Sequence, residues 1–97
     1  MTRKQVYKIT YPNAMIYVGM DLIGTVTYFG SPSRKAKDRM TADLAEYRFD
    51  FTVRKEILWE SETASDTEVR QMERHYIRLL GANNPKTGYN LVPRFTE

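Results

Sequence analysis

The chain has 97 residues, 41% hydrophobic and 28% charged, with a formal charge of +3, no cysteine and a single histidine. That length makes one domain at most, 1–97, and the composition is too apolar for a disordered chain and too interrupted for a membrane span. Disulfide scaffolds, thiolate nucleophiles, zinc fingers and His-rich metal cages fall away with the missing residues, leaving carboxylate, hydroxyl, phenol, guanidinium and amine for chemistry.

Met1-Thr2-Arg3-Lys4 leads into an alternating pattern rather than an apolar leader, so a cytoplasmic location is expected. Tyr7, Ile9 and Tyr11 then share one face of an alternating run, and Met15 to Met20 is a second β-rich run. With Pro12-Asn13-Ala14 as the turn between them, the pattern predicts a hairpin over 5–11 and 14–20. Residues 21–33 read as a loop punctuated by Gly24, Gly30 and Pro32, and Ser31 or Ser33 can cap a helix that begins near Arg34. Ala36, Met40, Leu44 and Tyr47 make that helix's apolar stripe, with a break at Thr41 allowed. Residues 51–59 return to period two and predict a third strand, with Phe51, Val53, Ile57 and Trp59 on one face and Arg54 on the other. Ser65 followed by Glu68 is a capping-box pattern, and Gly81 is a stop, so a helix is predicted between them. A loop through Gly88 and a short apolar tail, Tyr89 to Val92, close the chain. The order strand, strand, helix, strand, helix predicts an α+β domain: a small three-stranded antiparallel sheet flanked by helices.

On the last helix Val69, Met72, Tyr76, Ile77 and Leu80 form the apolar stripe, and Glu73 lies inside it. An unpaired buried carboxylate costs several kcal/mol, so Glu73 must meet a partner such as a strand arginine or open into a cleft as a metal ligand or acid/base group. Arg70, Arg74 and Arg78 recur every four residues on a neighbouring face, as a solvated surface or a phosphate-contacting rim. His75 falls between them and reads as exposed. Arg39 lies at the edge of the earlier helix's stripe, while Arg34 points nearly opposite. Tyr7 and Tyr17 occupy the centres of the paired strands, where packing is the ordinary role of a tyrosine. Residues 1–48 carry eight Lys/Arg against four Asp/Glu and residues 49–97 seven against eight, so an anionic partner should meet the first half.

Val6-Tyr7-Lys8, then Ile16-Tyr17-Val18-Gly19, a later arginine-bearing helix, Glu73 on the terminal helix and finally Gly88-Tyr89-Asn90 together resemble the GIY-YIG nuclease family over nearly the whole chain. The first motif departs from the family's, with Gln5 for a small Gly and Val6 for Ile, but keeps the tyrosine. The resemblance implies a metal-dependent endonuclease that hydrolyses DNA phosphodiester bonds. Tyr7 and Tyr17 match the motif tyrosines, and Glu73 matches the glutamate that holds one divalent ion, Mg²⁺ or Mn²⁺. In this chemistry the metal stabilises the phosphate and the leaving oxygen, a tyrosine of lowered pKa takes the proton from water, and an arginine holds the phosphate.

The arginine is displaced by the inserted loop at 21–33; Arg39 is the first choice, Arg34 the second, and Arg54 a third from the sheet. Lys8, Arg54, Arg70 and Arg74 are the expected DNA contacts. A chain of this size has no room for a separate recognition domain, so target choice would fall to the loop, to a homodimer or to a separate DNA-recognition partner. Two other readings stay open: a catalytically inactive nucleic-acid-binding module of the same fold, and a protein-interaction domain in which Glu73 is paired with an arginine.

Overall fold

The computed structural model describes residues 3–96. Three antiparallel strands, β1 (Lys4–Thr10), β2 (Ile16–Asp21) and β3 (Arg54–Ser61), lie in the order β2-β1-β3, with helices α1 (Arg34–Asp43) and α2 (Asp66–Leu80). The expected α+β class and the antiparallel hairpin are both present. The hairpin turn closes with the Tyr11 N–H donating to the Met15 carbonyl, and Asn13 Oδ1 accepts from the Met15 amide at 3.0 Å. Ala14 there takes a left-handed φ of 70°.

Each helix starts where a side-chain oxygen can receive an otherwise unpaired amide. Ser33, the second of the two predicted caps, accepts from the Ala36 amide at 3.2 Å. α1 ends at Asp43 and passes into a single 3₁₀ turn, Ala45–Tyr47, so the predicted stripe is split after Met40. The break comes at Leu44 rather than Thr41, whose hydroxyl donates back to the Lys37 carbonyl. The capping box of Ser65 and Glu68 is complete, and Gly81 ends α2 at a φ of 69°, the left-handed conformation that glycine adopts without a Cβ penalty.

Side chains alternate across the sheet, so it has two cores. On the α2 side Val6 and Val18 pack with Val69, Ile77, Ala64 and Ala82. On the other side Tyr7, Ile9 and Tyr11 pack with Leu44 and Tyr89, and Met40, Tyr28 and Tyr17 lie around them. The third strand departs from expectation. It begins at Arg54, and Phe51 lies outside it and exposed. Val6 pairs with Trp59 but Tyr7 with Ile57, so Leu58 is an extra residue in β3. Because Val6 and Tyr7 point to opposite faces, this bulge turns Trp59 to the α2 core and leaves Ile57 on the Tyr7 face, instead of both on one.

After α2 the chain runs along the free edge of β2. Ile16 donates to Thr87 and accepts from Tyr89, and the Asn90 amide side chain then mimics a paired strand: Oδ1 accepts from the Val18 N–H at 2.8 Å and Nδ2 donates to its carbonyl at 2.7 Å. Gly88 lets the chain pass, since a Cβ there would overlap the Ala82 carbonyl. Among the described residues no helix is long and apolar enough to cross a membrane.

Candidate functional site

A cleft of about 260 Å³ opens along the β2 edge. One wall is α2, through Arg70, Glu73, Arg74 and Ile77; facing it are Tyr17 and Met20 of β2, the start of α1 at Ser33 and Ala36, and the tail from Tyr89 to Val92. Glu73 therefore opens into a cleft. It makes no hydrogen bond or ion pair among the described residues, and the alternative of a strand-arginine partner is not what the fold provides. Partial burial raises its pKa, and Arg70 and Arg74 pull it down only in part.

Tyr7 and Tyr17 converge on the same place from neighbouring strands. Tyr7 is 1% exposed, with its hydroxyl packed against Gly19 of its pairing partner and against Gly30 of the loop. A Cβ on Gly30 would lie 2.7 Å from that hydroxyl and 2.8 Å from Tyr17 Cε2, so both glycines are the space that the two phenols occupy. Gly30 is at a φ of 97°, which a glycine holds without strain. The Tyr7 and Tyr17 hydroxyls have no hydrogen-bond partner among the described residues, yet no buried polar atom there is left unpaired and sealed from solvent. Burial pushes the Tyr17 phenol up to about 12, with Glu73 and Tyr28 adding to the shift. Tyr7 is held well above the usual phenol range by burial, then by Tyr17, Tyr28, Glu73 and Asp21. The lowered phenol pKa expected from the sequence is thus reversed, because both phenols are desolvated by burial and their ionised forms would meet neighbouring phenols and the Glu73 carboxylate.

The arginines are arranged differently from the order of choice. Arg39 donates to the Pro85 carbonyl at 3.1 Å and stacks 5.2 Å from the Tyr89 ring centroid, and it is not among the residues that line the cleft. Arg34 is exposed at the first turn of α1, and Arg54 is exposed and 3.7 Å from Glu56. The guanidiniums that line the cleft are those of Arg70 and Arg74, one on each side of Glu73 in the sequence. Lys8 is tied to Glu56 at 3.2 Å, and Arg3 and Lys4 to Glu60, Glu62 and Asp66, so much of the positive excess of the first half is neutralised by the second. His75 is exposed as expected, its ring edge-on to Tyr76.

The donor set decides what ion could sit here. No group of three or more His, Cys, Asp or Glu among the described residues could form a cage. Asp21, whose charge reaches Tyr7, is spent: Oδ1 accepts from the Ile23 and Gly24 amides and Oδ2 from Thr25 at 2.7 Å. Burial alone would raise its pKa, but these three donors and Lys55 outweigh that and hold it low. One free carboxylate in an open cleft suits an ion such as Mg²⁺, which keeps several waters and takes the rest of its shell from a phosphate.

Lys55 was not singled out in the sequence. Its ammonium reaches over the Tyr7 ring, 4.9 Å from the centroid, and donates to the carbonyls of Tyr28 at 2.6 Å, Thr25 at 3.2 Å and Val26 at 3.5 Å. The signal was present: it interrupts the apolar face of β3 between Val53 and Ile57, as Glu73 interrupts that of α2. No family model, curated protein or solved structure matches the chain.

Proposed function

We propose that the cleft hydrolyses phosphodiester bonds in DNA with a divalent metal ion, in the manner of the GIY-YIG nucleases that the motifs resemble. The observation that carries this reading is that Tyr17 and Glu73, which has no partner among the described residues, line one cleft from separate elements, with the buried Tyr7 phenol packed beside Tyr17. A structural role would give the carboxylate a partner and the phenols hydrogen bonds. Among the described residues all three are left without either, beside two arginines that can draw in an anion.

The chain's own residues then have distinct tasks. Arg70 and Arg74 hold the non-bridging oxygens of a phosphate, a charge-assisted contact that guanidinium geometry favours. Glu73 holds the metal, which when bound supplies positive charge at the phosphate and the leaving oxygen. The Tyr17 hydroxyl, at the cleft wall, orients the attacking water and accepts its proton once ionised; Tyr7 packs beneath it. Assigning the phosphate to Arg70 and Arg74 rather than Arg39 follows from which side chains face the cleft.

Glu73→Gln tests the reading, since it keeps the shape and removes the charge. The variant should fold and fail to nick supercoiled plasmid in Mg²⁺ or Mn²⁺, where the native chain nicks it. Nicking by the variant at the native rate would remove the carboxylate from the account.

A further inference from the structure

The loop between β2 and α1 is held in place in a way that its own composition does not explain. Ile23, Val26 and Phe29 are exposed, and of its large side chains only Leu22 and Tyr28 pack against the cores, so apolar burial fixes it only in part. It is anchored as well at its start by Asp21, through three backbone amides, and near its end by Lys55, through three backbone carbonyls. The Lys55 ammonium is half-buried and forms no ion pair among the described residues, so those carbonyls and the faces of Tyr7 and Phe29 are its solvation. An ammonium in such a place is stable only while the carbonyls are there. The coupling runs both ways: the loop satisfies the lysine, and the lysine fixes the loop. Two residues beyond Tyr28 comes Gly30, which touches both phenols.

We propose that Lys55 is a positioning residue for the phenol pair: it locks the 21–30 loop so that Gly30 holds the Tyr7 and Tyr17 side chains in register at the cleft. Lys55 is on β3, two strands away from the cleft-lining β2, and it is not among the residues lining the cleft. It acts on the phenols without touching the phosphate. The consequence for rate rests on the nuclease reading, whereas the consequence for the loop does not.

The test uses the full chain carrying Lys55→Met, which keeps the aliphatic stem and removes the charge, beside Lys55→Arg, which keeps the charge. In Lys55→Met the hydrogen-bonded loop amides of Thr25 and Tyr28 should exchange about tenfold faster or more while those of β1 and α2 stay protected, because only the local opening becomes easier. Plasmid nicking should lose kcat by about tenfold or more with KM unchanged, the signature of misplaced reacting groups rather than lost substrate contact, and Lys55→Arg should recover part of it. Gly30→Ala pushes against the same phenols and should reproduce the kcat loss with Lys55 in place; it carries the test if Lys55→Met does not fold. Loop exchange unchanged in Lys55→Met, or a loss confined to KM, would overturn the proposal. A native chain that cuts nothing would overturn the nuclease reading, and the exchange measurement would still decide the role of Lys55.

Discussion

Glu73 carries a charge where the fold would be more stable without one. It lies within the α2 stripe, half-buried and without a partner among the described residues, and burial raises its pKa. A carboxyl whose folded pKa exceeds its unfolded value contributes stability that is full at low pH and is lost as pH rises through the folded pKa. At neutral pH the ionised group is therefore a cost, and Glu73→Gln should raise stability by about 0.5–1 kcal/mol, or a few degrees in Tm, while removing cleavage. Thermal melts at pH 7 and at pH 4 check the sign: the gain should shrink at the lower pH. The phenols give the opposite limb. Because Tyr17 is held up at about 12, a base role for it predicts a cleavage rate that climbs with pH without levelling. From about pH 7 to about pH 10 the native rate should rise continuously and Tyr17→Phe should flatten the profile. A plateau near neutrality in the native chain would assign the base to another group.

At the scale of the elements, what was legible in the sequence was what local chemistry decides. The Ser65–Glu68 box, Ser33 and Gly81 place both helices because capping involves residues three or four apart. The hairpin follows from alternation and its turn. The bulge at Leu58 was not legible, since period two carries no mark of an inserted residue until the partner strand is known, and it moved Trp59 to the other core. The charges inside apolar faces were the informative exceptions. Glu73 stands out because a helical stripe makes the intrusion obvious; Lys55 sits in the run Arg54-Lys55-Glu56, where flanking charges conceal it. Asn90 was legible only through family resemblance, although its task is plain in the fold: it supplies both halves of a backbone pairing to the edge of β2. Asn90→Ala leaves the Val18 amide and carbonyl without protein partners and should cost about 1–3 kcal/mol. Urea unfolding measures that cost, and faster amide exchange at Val18 than at Val6 would localise it to the edge strand.

For the whole molecule, net charge matters less than which charges are already used. Lys8 and Arg54 share Glu56, Arg3 and Lys4 are paired with acids of β3 and α2, and Lys55 is spent on the loop. Arg34, Lys35 and Lys37 of α1, and Arg70, Arg74 and Arg78 of α2, are exposed and form no ion pair within 4.0 Å among the described residues. The two helices that carry them both border the cleft. A polyanion is thus expected to meet the α1 and α2 side rather than the strand lysines. Arg70→Ala and Arg74→Ala should each lower the salt dependence of DNA binding by about one unit of slope, and Lys8→Ala should leave it unchanged. The most direct measurement of the central claim is a time course of supercoiled plasmid with the native chain, with and without Mg²⁺ or Mn²⁺, with DNA retention recorded in the same samples. The account predicts nicked product that accumulates only with the divalent ion; retention of DNA with no product under either condition would contradict it and leave a binding module in its place.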